Sequence, residues 1–188
     1  MNKLQLAFLL LVSCSPDPTP PAPKVAPEPP GEGAMMVPPV RQDRPAVDVI
    51  KFEAPKDWTK EEPANNMRKA QYKVSDKAKK AGDAQLALFY FGPSNEMLED
   101  NIKRWGQQMG ADEFKPEKIE GKCKITLVDL KGTYTGDSKA GPQEGSRLLA
   151  AVVESDSGPW YFKLVGPADT VGPWRDEFIT MLKGAGGK

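Results

Sequence analysis

From residue 46 onward, apolar residues recur at every second position in several short stretches, and that two-residue period is the mark of β-strands. Residues 47–52 read as a first strand, followed by Pro55-Lys56-Asp57-Trp58, a turn whose tryptophan is expected to fold back over the sheet edge. Residues 67–74 read as a second strand, with Arg68, Ala70, Tyr72 and Val74 expected on one face. Residues 75–83 (SDKAKKAGD) then read as an exposed hairpin connection. Residues 84–91 (AQLALFYF) are apolar on both faces from Leu86 onward, which implies a central strand covered on both sides. Strand patterns resume at 122–130, 147–154 and 160–165, and the run from Leu148 to Val153 is again apolar on both faces.

Two covered central strands demand material on each side of the sheet, and two helices supply it. The first follows Pro93, with Ser94 as N-cap and Gly110 as the residue that ends it. Leu98, Ile102, Trp105 and Met109 recur at helical spacing and form its apolar stripe. Asn101, Arg104 and Gln108 fall together on the flank of that stripe, while Glu99, Lys103 and Gln107 point to water. A second helix begins near Asp169 or Thr170, tolerates Pro173 in its first turn, buries Val171, Trp174, Phe178 and Met181, and ends at Gly184. The expected fold class is α+β: an antiparallel six-stranded sheet with two helices covering it, in the order βββα-βββα.

The residues before this domain have a different character. Met1-Asn2-Lys3 is a short positive start, and residues 4–12 (LQLAFLLLV) form an apolar run well below the roughly 20 residues of a membrane-spanning helix. The run ends in Leu11-Val12-Ser13-Cys14, which resembles a bacterial lipobox, so residues 1–13 read as a lipoprotein signal peptide and Cys14 as the lipidated residue. Ser15 after the cysteine, in place of an aspartate, favours the outer membrane by the same resemblance. Residues 14–45 carry the lipidated cysteine and a tether, with eleven of the chain's nineteen prolines between Pro16 and Pro45. Such a segment favours extended polyproline II at about 3.1 Å per residue and acts as a semi-rigid spacer. Residues 46–188 are then one domain, long enough to bury close to 70% of its unfolded surface.

Composition narrows the chemistry. The 188 residues hold 26 Lys plus Arg against 26 Asp plus Glu, so no excess positive charge is present to grip a phosphate backbone, and nucleic acid is not an expected partner. Histidine is absent, which removes the usual general base at neutral pH and every serine-histidine or cysteine-histidine pair. Of the two cysteines, Cys123 is left single after lipidation of Cys14 and reads as a small core residue with no adjacent base. No cofactor, metal site or catalytic residue is expected. Glu154, Asp156 and Gly158 resemble a turn more than a calcium loop.

The strand and helix order, with a Pro-x-x-Trp turn after the first strand, resembles the PsbP-like fold, which implies an antiparallel sheet between helical layers. Four segments also resemble a family of uncharacterised bacterial secreted or lipid-anchored proteins. They are Pro55-Lys56-Asp57-Trp58 with Met67-Arg68-Lys69-Ala70, Asn101-Ile102-Lys103-Arg104-Trp105-Gly106-Gln107-Gln108, Leu127-Val128-Asp129-Leu130-Lys131-Gly132, and Trp160-Tyr161-Phe162-Lys163-Leu164-Val165-Gly166-Pro167. The resemblance implies no activity.

The candidate binding residues are Arg68, Asn101, Arg104, Gln108, Trp160 and Lys163. Arg104 beside Asn101 and Gln108 offers donors for a carboxylate, a sugar or a partner's backbone, or ties the helix flank to the sheet. Lys163 lies on the strand face opposite Trp160 and Phe162, with Tyr161 and Val165 as companions, and is either the cation of a ligand cleft or an edge lysine that snorkels. Lys77, Lys79 and Lys80 make a basic tip flanked by Asp76 and Asp83. Two function classes are compatible with these features: a lipid-anchored envelope accessory protein without catalytic activity, held to the membrane through Cys14 and docking on an envelope protein or cell-wall polymer, or a small histidine-free envelope hydrolase using carboxylates.

Overall fold

The computed structural model describes residues 50–136 and 140–186. The signal peptide, Cys14, the tether and residues 47–49 of the expected first strand lie outside the described residues. What is described is an α+β domain built on one seven-stranded antiparallel sheet. The strands are β1 (Trp58–Glu61), β2 (Arg68–Val74), β3 (Ala84–Tyr90), β4 (Glu117–Glu120), β5 (Lys124–Tyr134), β6 (Gln143–Ser155) and β7 (Gly158–Pro167), in the spatial order β1-β2-β3-β7-β6-β5-β4. Helix α1 (Leu98–Gln108) comes after β3. A second helical segment closes the chain as α2 (Ala168–Val171), a 3₁₀ turn (Gly172–Trp174) and α3 (Arg175–Gly184), with Pro173 at the start of the 3₁₀ turn.

The strand count is therefore seven, not six. β4 has a single side chain turned to the core, Ile119, between charged neighbours, so its sequence carries no alternation to read. A short, charged strand is what a sheet edge favours. The first strand is also displaced: β1 opens at Trp58, at the end of the expected Pro55–Trp58 turn, which the Trp58 amide closes by donating to Pro55 O at 3.0 Å, while among the described residues Lys51 makes a single bridge, to Gly186. Trp58 nonetheless turns inward, its ring meeting Trp174 edge-on at 5.8 Å. β5 and β6 run past their apolar stretches because their backbones continue to pair from Lys131↔Arg147 to Tyr134↔Gln143.

Each face of the sheet has its own core. One combines Leu86, Leu88, Leu149, Ala151, Val153, Trp160, Phe162 and Leu164 with Val171, Trp174, Phe178, Met181 and Leu182 of the C-terminal segment. The other sets Trp105 and Met109 of α1 against Val128, Leu148, Ala150, Val152 and Tyr161. The expected helix stripes are thus both in contact with the sheet, and the double apolarity of β3 and β6 has its reason in these two layers.

Local hydrogen bonds define both ends of α1. It begins at Leu98 rather than at Ser94, whose hydroxyl accepts from the Glu96 amide one turn earlier. At the other end Gly110, at φ +67°, forms a paired C-terminal cap: its amide donates to Gln107 O and the Ala111 amide to Gly106 O. The end is pinned to β5, because the Thr135 amide donates to Gln108 O at 2.8 Å and a Cβ on Gly132 would stand 2.5 Å from Met109 O. The basic tip is ordered too. Asp76 accepts from the amides of Ala78, Lys80 and Ala81, and those bonds, Ala81's foremost, hold its carboxyl below the usual range. Lys77 reaches Glu177 and lies 3.9 Å over the Trp174 ring, which ties the tip to the C-terminal helical segment.

Candidate functional site

The strand register assembles the site on the α1 side of the sheet. One row of directly paired residues runs Glu61, Gln71, Ala87, Lys163, Ala150, Val128 from β1 across to β5. The next row runs Arg68, Phe89, Tyr161, Val152, Thr126, Lys118. Lys163 thus stands between two alanines, in a trough where its neighbours have no bulk. α1 covers the β5–β6–β7 half of this face, and Lys163 lies at the helix margin.

Arg68 joins this face through a bulge. The strict two-residue period places it with Ala70, Tyr72 and Val74, but the register shifts between Arg68 and Ala70, so that Arg68 pairs with Phe89 and Ala70 with Leu88. The extra residue turns Arg68 to the α1 side, a re-aiming that bulges commonly perform beside functional sites. There its Nη1 donates to Gln71 Oε1 and Gln85 Oε1, and its buried Nε finds no acceptor among the described residues. Gln71 in turn donates to Glu61 at 2.9 Å.

α1 brings the remaining groups. Asn101, only 2% exposed, donates to Met97 O and accepts from Arg104. Gln108 accepts from Lys163 Nζ at 2.5 Å, and Tyr134, at the end of β5, accepts from the same ammonium at 2.9 Å. The Tyr161 hydroxyl is buried beside Asn101 without a hydrogen bond of ordinary geometry. Burial pushes its pKa up, with Asn101 and Arg104 acting in the opposite direction.

The electrostatics of Lys163 reflect this setting. Burial, then the positive charges of Arg104 and Arg68, bring its ammonium down to about 8. Among the described residues none of the three cations is ion-paired, whereas Lys73, Lys77, Arg147 and Arg175 all are. Asp129, on the opposite face, shows the contrasting arrangement. Burial tends to raise its pKa, but Arg147 at 2.7 Å and Arg175 at 3.0 Å overcome that and hold its carboxyl below the usual range.

Of the six candidate residues, Gln108 and Lys163 are hydrogen-bonded to each other, Arg68 and Arg104 act on Lys163 through their charge, and Asn101 holds Arg104. Trp160 stands apart. It is buried in the opposite core, its ring tilted against Tyr90 at 4.8 Å, because odd and even positions of β7 face opposite ways. Gln71, Gln85 and Tyr134 belong to the site but carry no signal of it in sequence; strand register alone makes them neighbours of Arg68 and Lys163. Two surface grooves lie elsewhere. One, of about 640 Å³, runs between Lys51–Glu53 and the α3 residues Glu177, Thr180 and Met181; the other, of about 420 Å³, borders Cys123. The Cys123 thiol is half-buried and free, and burial pushes its pKa up. Among the described residues no three potential metal ligands gather. No family model matches this chain, and no curated protein sequence matches it.

Proposed function

We propose that this protein is a non-catalytic accessory domain of the bacterial cell envelope, lipid-anchored at Cys14, carried on a proline-rich tether and binding through the α1 side of its sheet. The observation that carries the binding role is the set of three cations, Arg68, Arg104 and Lys163, around one trough, none of them ion-paired among the described residues. Burial and the positive charges of two arginines oppose the Lys163 ammonium, and groups perturbed in this way cluster at functional sites. The lipobox resemblance supports the anchor, Ser15 supports the outer membrane, and the sheet between two helical layers supports a PsbP-like sandwich. The partner in this reading is an envelope protein or cell-wall polymer.

Two variants test the two halves of the reading. Cys14→Ala is expected to move the protein from the membrane pellet to the soluble fraction; retention in the pellet would refute the anchor. Arg104→Ala is expected to weaken capture of envelope components by the full chain without unfolding the domain. Undiminished capture would remove this face from the reading.

A further inference from the structure

We propose that the trough at Lys163 binds an oxyanion, a carboxylate or phosphate group carried by the ligand. The inference deepens the binding role proposed above and rests on it. It starts from charge. Arg68 reaches the trough from β2, Arg104 from α1 and Lys163 from β7, and no described carboxylate pairs with any of them. The one acidic group in the same cross-strand row, Glu61, is engaged by the neutral amide of Gln71. The facing groups on the other elements, Tyr134 of β5 and Tyr161 of β7, are phenols and bring no negative charge at neutral pH.

The inventory of donors points the same way. Lys163 has three N–H protons and gives one each to Gln108 and Tyr134, leaving one. Arg104 is exposed and gives one of its five N–H groups to Asn101, leaving the others to solvent or to a ligand. Arg68 shares one nitrogen between Gln71 and Gln85 and has a buried Nε with no acceptor among the described residues. A buried donor left without a partner costs about 1–3 kcal/mol. The protein therefore presents donors in excess of acceptors, all on cationic groups that repel one another.

A ligand suited to this surface must supply acceptors and negative charge together. Sugar hydroxyls supply weak acceptors and leave the repulsion intact, and an apolar group supplies neither. A carboxylate or phosphate supplies both, and guanidinium groups match the spacing of its oxygens. The alanines beside Lys163 keep the floor of the trough low, and the bulge at β2 is the device that brings Arg68 to it.

The test tracks the Lys163 side chain by NMR through its Cε and Nζ in the labelled full chain. The titration is run in chloride, acetate and inorganic phosphate at one ionic strength, with Lys163→Arg to assign the signal. Matching ionic strength matters because any salt weakens the repulsion from the arginines. The midpoint is expected to rise by about one unit in acetate or phosphate relative to chloride, an about tenfold preference of the anion for the charged lysine. The larger shift identifies carboxylate or phosphate, and Arg104→Ala is expected to diminish it. Equal midpoints in the three salts would overturn the proposal. Should Lys163→Arg fail to fold, the lysine of lowest midpoint in the unaltered chain still decides it. Equal midpoints combined with capture that still depends on Arg104 would dismiss the oxyanion alone; loss of both effects would dismiss the binding face as well.

Discussion

Replacing Lys163 with methionine is expected to stabilise the domain at neutral pH, an unusual result for a half-buried residue with two hydrogen bonds. The ammonium falls from 10.5 to about 8 on folding, and at about 1.36 kcal/mol per unit the folded state bears a penalty of about 3 kcal/mol for keeping it charged. Methionine fills the same unbranched volume without charge. It forfeits the bonds to Gln108 and Tyr134, at about 1 kcal/mol each, so the net gain near pH 7 is about 1 kcal/mol. The dependence on pH separates these contributions. Below 8 the lysine is protonated in both states and the penalty is complete; between 8 and 10.5 the unfolded chain binds more protons, so the unaltered protein gains stability as pH rises. Lys163→Met lacks that gain, and by pH 10.5 it should be the less stable by about 2 kcal/mol. Urea unfolding read by tryptophan fluorescence suits the measurement, since Trp58, Trp105, Trp160 and Trp174 are all buried. Other titrating groups are common to both proteins and cancel in the difference. Two stability profiles that run parallel from pH 7 to 10 would refute the electrostatic account of the trough.

Two further outcomes probe what holds the site in place. Gly132→Ala should destabilise the domain by about 1–3 kcal/mol, because the new Cβ meets the Met109 carbonyl at 2.5 Å and pushes the end of α1 off β5; an unchanged urea midpoint would contradict it. Asp129→Asn should lose about 1–2 kcal/mol at pH 7 by weakening the bonds to Arg147 and Arg175, a value tempered by its partial exposure to solvent. The folded carboxyl lies below its unfolded value, so its contribution is present above the unfolded pKa and fades as pH falls through the folded one. The two proteins should therefore converge in acid, and a gap that persists there would assign the effect to geometry instead of charge.

Both helix stripes and the twofold apolarity of β3 and β6 were legible in the chain, because burial on two sides leaves an unmistakable run of Leu, Ala and Val. The flank of α1 was legible too, since Asn101, Arg104 and Gln108 share a face by helical geometry alone. β4 was not, for a reason of chemistry: an edge strand held by backbone bonds to β5 needs only one inward side chain. Trp160 was counted with the site although the two-residue period already set it on the face opposite Lys163, and there it is buried in the other core.

What local sequence determines here is periodicity, and through it the layers: which residues turn inward, where α1 ends at Gly110, and that Lys163 shares a face with Tyr161 and Val165. What only tertiary structure decides is register. The bulge before Ala70 turns Arg68 onto the Lys163 side, and the pairing Gln71–Ala87–Lys163–Ala150 sets the ammonium between two small residues. Periodicity is a property of consecutive residues, whereas register depends on backbone hydrogen bonds between strands remote along the chain, so the meeting of Arg68, Arg104 and Lys163 exists only once the sheet has closed.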